Sequence, residues 1–452
     1  MSDFSSSVSR EALLKSLQNL TGRSDVQLLD GYKVERATSG VEGFTSLVLR
    51  VRLSYRLPGH EDIKSHALFV KTVSPVDYQR EIMKSINVFS KELLYFSQVV
   101  PQMVKVSHGK VQIPLPACYH TIEEKENASL YMEDLLGSGY RLANRSYLMD
   151  GYDYAHSSLV MKGIGKLHAL SIAAEKKLDS GKGTWLHSCP EFGKEYLYFV
   201  PSPENPPTPI HETVGGSIAS IKDLCQELEG LPKEAVASGA LEKVLEGVWP
   251  TLCRLKETPN DNRRILIHGD FWANNMMFRY RNNNGEDEPV DVKFFDLQLA
   301  KVCHPGVDLF YFLYVNTRRQ LREKYLSVLL DEYYESLSTN LKLLDGSVPP
   351  YSQSDFRADM MGKYKPFGVI MATLFCPWMM LGDEFLLPNA DDMTSEKMEE
   401  MFKQGSAAIV LARFRNDPKF RSQVEDIIRE FVDMALPNGV ESVSSSPLLL
   451  NK

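Results

Sequence analysis

The chain has 452 residues, 43% apolar and 24% charged, which is ordinary for a folded globular protein and long enough for more than one core. Acidic side chains outnumber basic ones, 59 to 51, with a pI near 5.8, so nonspecific binding to nucleic acid or to an anionic membrane is excluded as the main role. Six scattered cysteines without a C-x-x-C pair exclude a zinc ribbon and a disulfide framework, and they predict a reducing, cytoplasmic setting. MSDFSSSVSREALLKSL has no signal-peptide core. The longest apolar run, Phe367 to Leu381, is too short and too interrupted by Pro377 to cross a bilayer.

Leu13, Leu17 and Leu20 at helical spacing predict a short N-terminal helix. Val26–Thr38, Ser46–Leu57 and His66–Thr72 read as three strands, the first two joined by SGVEGFTS. Gly40 and Gly43 in that loop would let backbone amides approach a phosphate, although a plain hairpin would look the same. The third strand ends in LFVKT, where Lys71 among apolar neighbours needs a partner. An amphipathic helix follows between Pro75 and Gln98, with Glu92 beside its apolar stripe and Glu81 eleven residues earlier on the same face. Spacing leaves open which of the two acids meets Lys71.

LYMEDLLGSG, Leu130 to Gly139, runs from an apolar strand through acids to glycines and reads as a hinge. Beyond it the period is helical: Val160, Ile164, Leu167 and Leu170 mark one helix, and Leu241 to Leu255 mark another that Pro250 bends or splits. Ser202–Pro209 is a loop by composition. Asp417 and Pro418 are the N-cap and first residue of a last helix, and the Ser-rich tail from Val443 is expected to be disordered.

The chemistry concentrates between Arg264 and Asp308. Ile265–Ile267 is a short strand, Gly269 breaks it, and a polar loop runs from Asp270 to Asn275. Strand candidates Met276–Tyr280 and Val290–Phe295 flank the turn-rich Arg281–Pro289. Antiparallel pairing brings Asn275 beside Asp296 although 21 positions separate them. Two hard oxygen donors suit magnesium, which completes its octahedron with phosphate oxygens and water. Asp270 is placed to orient an acceptor hydroxyl and take its proton. The spacing H-x-D-x-x-x-x-N, followed by an Asp after the next hairpin, matches the phosphotransfer template. His268 and Gly269 read as structural.

The blocks GFTSLVLRV, FVKT, FSKELLYF, YMEDL, KLHALS, HGDFWANN, FFDLQLA and HPGVDLFYFL stand in one order over about residues 30 to 315. Together they resemble the ecdysteroid kinase-like (CHK kinase-like) family, related to choline kinases and aminoglycoside phosphotransferases. The resemblance implies an α+β, two-lobed protein-kinase-like fold, with a small antiparallel-sheet lobe (1–134), a larger mainly helical lobe (135–436) and a disordered tail (437–452). It implies ATP and Mg2+ as cofactors and phosphoryl transfer to an alcohol. Asp270 would be the base, Asn275 and Asp296 the metal ligands, and Lys71, paired with Glu92, the residue on the phosphates. Gly40 and Gly43 would cover the nucleotide, and the Glu133 carbonyl and Leu135 amide would read adenine. Asp308 would brace the catalytic loop.

The chain departs from protein kinases in having His268-Gly269-Asp270, Asp296-Leu297-Gln298 and no A-P-E, so neither a peptide acceptor nor an obligate protein partner is expected. The acceptor expected from the resemblance is a small hydroxylated, steroid-like compound. Choline, ethanolamine and antibiotic kinases are the alternatives, and a catalytically silent nucleotide-binding scaffold is the rival of another class. Met371, Phe375, Trp378, Met379 and Met380 in the late apolar segment read either as core or as an apolar wall for the acceptor.

Overall fold

Helix α1 (Arg10–Thr21) begins where the Ser9 side chain accepts from the Ala12 amide at 3.0 Å and ends at Gly22, whose φ of 66° suits a residue without a Cβ. The computed structural model describes residues 4, 7–37, 46–73, 88–124, 127–144, 146–178, 183–229, 231, 238–283, 285–382, 406–437, 439 and 445–449. Gly40, Gly43 and Glu81 lie outside these residues.

Strands β1 (Gln27–Leu28), β2 (Lys33–Arg36), β3 (Leu47–Arg56), β4 (Ile63–Thr72), β5 (Cys118–Ile122) and β6 (Ser129–Glu133) form one antiparallel sheet. Its order is β1-β3-β4-β6-β5, with β2 also on β3. The first expected strand is two short ones, because the segment Leu29–Tyr32, with Gly31 at φ 86°, interrupts the pairing. The two-residue alternation of β3 sends Leu47, Leu49, Val51 and Leu53 to one face, where they pack with Leu13 and Leu17 of α1 and with Leu68 and Val70 of β4 in a small core. Lys71 points to the opposite face with Phe69, Ala67 and Ser65.

Helix α2 (Val88–Leu94) passes through one π turn, Tyr95–Val99, into α3 (Val100–Ser107). Phe89, Leu93, Tyr95 and Phe96 pack in the large core with the helical half of the chain. The helix that carries Glu92 is therefore held by residues remote in sequence.

After β7 (Tyr140–Arg141) comes the long buried helix α4 (Tyr154–Glu175), capped by Asp153, and then α5 (Pro209–Glu227) and α6 (Ala240–Leu255). Pro250 sits within α6 without ending it. Strand β8 (Ile265–Ile267), the hairpin β9 (Met276–Asn283) and β10 (Glu286–Phe294), and β11 (Lys301–Cys303) precede helices α7 (Gly306–Val315), α8 (Arg319–Asp345), α9 (Lys365–Met379), α10 (Ser406–Asn416) and α11 (Pro418–Ala435). The hairpin is longer than its turn-rich sequence suggests: pairing runs to Asn283 and Glu286 and absorbs Pro289 at a bulge. Asp417 caps α11 as expected, accepting from the Lys419 and Phe420 amides.

The antiparallel sheet and the helical mass that follows it make an α+β architecture. The tail differs from its expected disorder at the described residues, since Leu448 is fully buried and Leu449 lies against Gly247. The apolar Leu448–Leu449 pair outweighs the serines before it.

Two glycines two residues apart, on nearly opposite faces of the helix, set the position of α4. A Cβ at Gly163 would lie 2.8 Å from the Phe294 ring, and one at Gly165 would lie 2.8 Å from Ser336 Cβ and 2.9 Å from the Tyr333 carbonyl. Gly165→Ala should therefore push α8 from α4 and cost about 1–3 kcal/mol. A melt showing no loss of Tm would contradict this packing.

Candidate active site at the strand and hairpin junction

Lys71 is buried on β4, and its Nζ donates to Glu92 Oε2 at 2.6 Å and to Asp296 Oδ1 at 2.7 Å. Glu92, 1% exposed, also accepts from the Leu297 amide through Oε1 at 3.2 Å. Of the two acids left open by spacing, the described residues bring Glu92 to Lys71. Burial acts to depress the Lys71 pKa, but the Asp296 and Glu92 carboxylates outweigh it and hold the ammonium above its ordinary value. The side chain is a fixed cation joining the sheet, α2 and the end of the hairpin.

The catalytic-loop candidate is built on two buried strands. Lys301, Val302 and Cys303 of β11 pair with Ile267, Leu266 and Ile265 of β8. Gly269 follows at φ 85°, where a Cβ would sit 2.1 Å from the Leu299 carbonyl oxygen, so no other residue fits. Beneath the loop, the fully buried Asp308 on α7 accepts from the His268 amide at 2.8 Å, the Gly269 amide at 2.8 Å and His168 Nε2 at 3.2 Å. Burial would raise the Asp308 pKa. The His168 hydrogen bond, the nearby imidazoles and the Gly269 amide overcome burial and keep the pKa low.

His268 Nδ1 accepts from the Asp270 amide at 3.3 Å, so its Nε2 carries the proton and donates to the Phe295 carbonyl at 2.9 Å. One imidazole thus ties the loop to the residue before Asp296. The hairpin closes the same junction, with Met276 opposite Phe294 and the Phe295 amide donating to the Asn275 carbonyl at 3.0 Å.

Asp270 has both carboxylate oxygens engaged. Oδ2 accepts from Asn275 Nδ2 at 2.9 Å and Oδ1 from the Tyr311 hydroxyl at 3.1 Å. Burial first, and then the charge of Asp296, push its pKa up; the Tyr311 hydrogen bond and Lys256 pull the other way. Because Asn275 spends its amide on Asp270, its Oδ1 is left for another partner. Asp296 sits at φ 65° with Oδ1 on Lys71 and only a 3.4 Å contact from Gln298 Nε2 to Oδ2. Two hard oxygens with spare capacity fit a magnesium ion that takes its remaining ligands from phosphate and water. Among the described residues no group of three or more His, Cys, Asp or Glu forms a self-sufficient metal cage.

Glu133 ends β6, and its side chain does more than stand by: it accepts from Lys293 Nζ at 2.6 Å and from the Ala117 amide at 3.1 Å. The Leu135 carbonyl accepts from the Tyr140 amide at 2.9 Å. Arg50 forms a two-pronged pair with Asp134, at 3.0 and 3.2 Å, on the sheet face that carries Lys71. A groove of about 550 Å3 on that face is lined by Asp30, Lys33, Arg52, Ser65, Asp134 and Gly137. Ser65 lies about 20 Å from Lys71 along β4, at about 3.3 Å per residue.

Beside the loop, Trp272, Tyr147, Leu148, Val315, Met379 and Met380 line a crevice of about 10 Å3. Met371 and Phe375 are core residues, as is Met380 where it meets the crevice, and Trp378 packs on the core outside the crevice lining. Sequence reasoning missed Tyr311 and Tyr147, whose hydroxyl donates to Asn274 Oδ1 at 2.5 Å. Tyr311 was detectable in principle: it follows Asp308 by three residues on one helix, so both face the loop.

The model of the ecdysteroid kinase-like family matches residues 40–346, more than half of the chain. Heat shock protein 30 of Oncorhynchus tshawytscha is 32% identical over 125 residues, 28% of this chain and 50% of that protein. The chain thus spans about half the length of the curated relative it matches. A GDP complex of wild-type aminoglycoside 2'-phosphotransferase-IIIa superposes with a TM-score of 0.34 and 11% identity, over 88% of this chain and 99% of that one. An AMP-bound complex of spectinomycin phosphotransferase gives 0.32 and 12%, over 79% and 89%.

The brace makes a pH prediction. A carboxylate whose folded pKa is depressed stabilises fully above its unfolded value, about 3.9 for Asp, and loses that contribution as pH falls through the lower folded value. Asp308→Asn should lower stability at pH 7 and flatten the pH dependence of denaturant unfolding below about pH 4. Parallel curves for the two proteins would show that Asp308 bears no such load.

Proposed function

Because the chain belongs to the ecdysteroid kinase-like family, we propose that it is an ATP-dependent kinase that transfers the γ-phosphoryl group to a hydroxyl of a small steroid-like compound such as an ecdysteroid. The observation that carries the proposal is the meeting of Lys71, Glu92 and Asp296 with the Asp270–Asn275 pair across one junction. None of the residues needed for transfer is missing, which disfavours a silent scaffold.

In this reading Lys71 holds the donor phosphates, and Glu92 fixes the direction of its ammonium. Asn275 and Asp296 would hold magnesium, which when bound neutralises phosphate charge. Asp270 orients the acceptor hydroxyl and takes its proton; its raised pKa makes it a stronger base than an exposed aspartate. Tyr311 and Asn275 keep the carboxylate from rotating. The Glu133 carbonyl and Leu135 amide would read adenine, and Gly40 and Gly43 would cover the phosphates. Residues 1–134 would then form the nucleotide lobe and 135–436 the catalytic and acceptor lobe.

The steroid-like acceptor rests on the apolar wall beside the loop. Trp272 stands two residues after Asp270, with Met379 and Met380 next to it. The crevice they line is far too small to enclose a sterol, and it marks one apolar edge of the acceptor side. A cationic acceptor such as choline would need an aromatic cage or a carboxylate cluster, and these lining residues include no acid and two aromatic rings, Tyr147 and Trp272, beside aliphatic and thioether side chains. Six free thiols fit a reducing, cytoplasmic setting, and among the described residues no helix is long and apolar enough to cross a membrane.

Asp270→Asn should keep nucleotide affinity within a few fold while kcat falls by about a hundredfold or more. Lys71→Met and Asp296→Asn should instead weaken MgATP use directly. Purified protein with MgATP, offered polyhydroxylated steroids, choline, ethanolamine and aminoglycosides, should add one phosphate to a steroid by mass. Far better turnover of choline or an aminoglycoside would overturn the acceptor assignment, and equal loss of binding and turnover in Asp270→Asn would remove it as the base.

A further inference from the structure

Three buried lysines, Lys91, Lys256 and Lys301, gather around the strands that carry the loop, with Lys256 close enough to Asp270 for the two charges to act on one another, and the reaction scheme uses none of them. They come from α2, from the C-cap of α6 and from β11. Glu195, in the loop after the Pro190–Gly193 turn, lies at their centre. Its Oε1 accepts from the Leu197 amide at 3.2 Å and the Tyr198 amide at 3.1 Å, and its Oε2 accepts from Lys301 Nζ at 3.1 Å. Lys91 Nζ donates to the carbonyl of the preceding residue, Lys194, at 2.7 Å. Lys256 Nζ stands 3.4 Å from the centre of the Tyr198 ring.

The three lysines are attached to the parts that matter. Lys91 immediately precedes Glu92. Lys301 pairs in register with Ile267, the residue before His268, and follows Asp296 by five positions. Three cations this close repel one another, and burial removes the water that would screen them. Glu191 also faces Lys91, but it is engaged with Lys194 at 2.8 Å on the outer side. Burial opposes the charge on Glu195, yet Lys256 and Lys301 prevail and depress its pKa to about 2. Lys91 is depressed to about 8, first by burial, with Lys301 and Lys256 adding to the effect and Glu195 opposing it.

We propose that Glu195 is a positioning residue: its carboxylate is the shared counter-ion that holds α2, β11 and the end of α6 together, so that Glu92 reaches Lys71 and the Leu297 amide. The proposal rests on the reading of Lys71, Glu92 and Asp296 as the phosphate-binding set. The Glu195 side chain keeps 20% of its surface exposed, so a small carboxylate from solvent can take its place when it is removed.

The test is hydrogen exchange together with chemical rescue. In Glu195→Ala, amides of residues 88–107 and of Leu297 should exchange about tenfold faster, the scale of a lost charge-assisted hydrogen bond. Affinity for a fluorescent ATP analogue with magnesium should fall by a similar factor. Saturating sodium acetate should restore both, and sodium chloride at equal ionic strength should restore neither. If Glu195→Ala does not fold, Glu195→Gln keeps an oxygen for the Leu197 and Tyr198 amides, removes the charge and should show the same gain in exchange. Unchanged exchange, or equal recovery in chloride, overturns the proposal. Failure of the wild type to bind MgATP would overturn the kinase reading, while the exchange measurements still decide the role of Glu195.

Discussion

Lys71 is shared by two carboxylates that come from separate parts of the chain, and the arrangement of the protein follows from that sharing. An ammonium so deeply buried needs compensation, and neither partner is local: Glu92 is 21 positions away and Asp296 is 225. Satisfying one charge therefore fixes a strand, a helix and the end of a hairpin relative to one another. The Leu297 amide on Glu92 adds a further link between helix and hairpin.

A second polar assembly works in the same way below the loop. Asp308 collects two successive backbone amides and an imidazole, and His268 passes the constraint upward to Phe295. Loop backbone that would otherwise be buried without partners is thus satisfied from one helix. Ile265, Leu266 and Ile267, which lead into the loop, are apolar and fully buried, so the polar partners of its backbone come from side chains packed beneath it. Rigidity here comes from hydrogen-bond geometry, whereas α2 combines its polar links with aromatic packing.

Much of this was legible in sequence because it depends on short-range rules. The spacing of Asp270 and Asn275, the hairpin that returns Asp296, the Asp417 cap and the alternation of β3 all follow from periods of two or 3.6 and from turn chemistry. Contacts settled by long-range packing were less accessible. Spacing could not separate Glu92 from Glu81, because eleven positions put both on one face of an expected helix. The Glu133–Lys293 pair joins residues 160 positions apart. Leu448 shows the same limit from the opposite side: serine-rich composition suggested disorder, and a pair of leucines found a place in the core.

Asp296 carries one further consequence. At φ 65° and ψ 64° it occupies the left-handed region, which costs an L-residue about 1 kcal/mol and costs glycine almost nothing. At this position the backbone alone would favour glycine, while the carboxylate that meets Lys71 can come only from an acid. The fold therefore keeps a residue that makes it less stable than it could be, and the site is where stability and chemistry pull apart. A chain that drifted to glycine here would relax its backbone and leave Lys71 with Glu92 as its one remaining carboxylate of the pair.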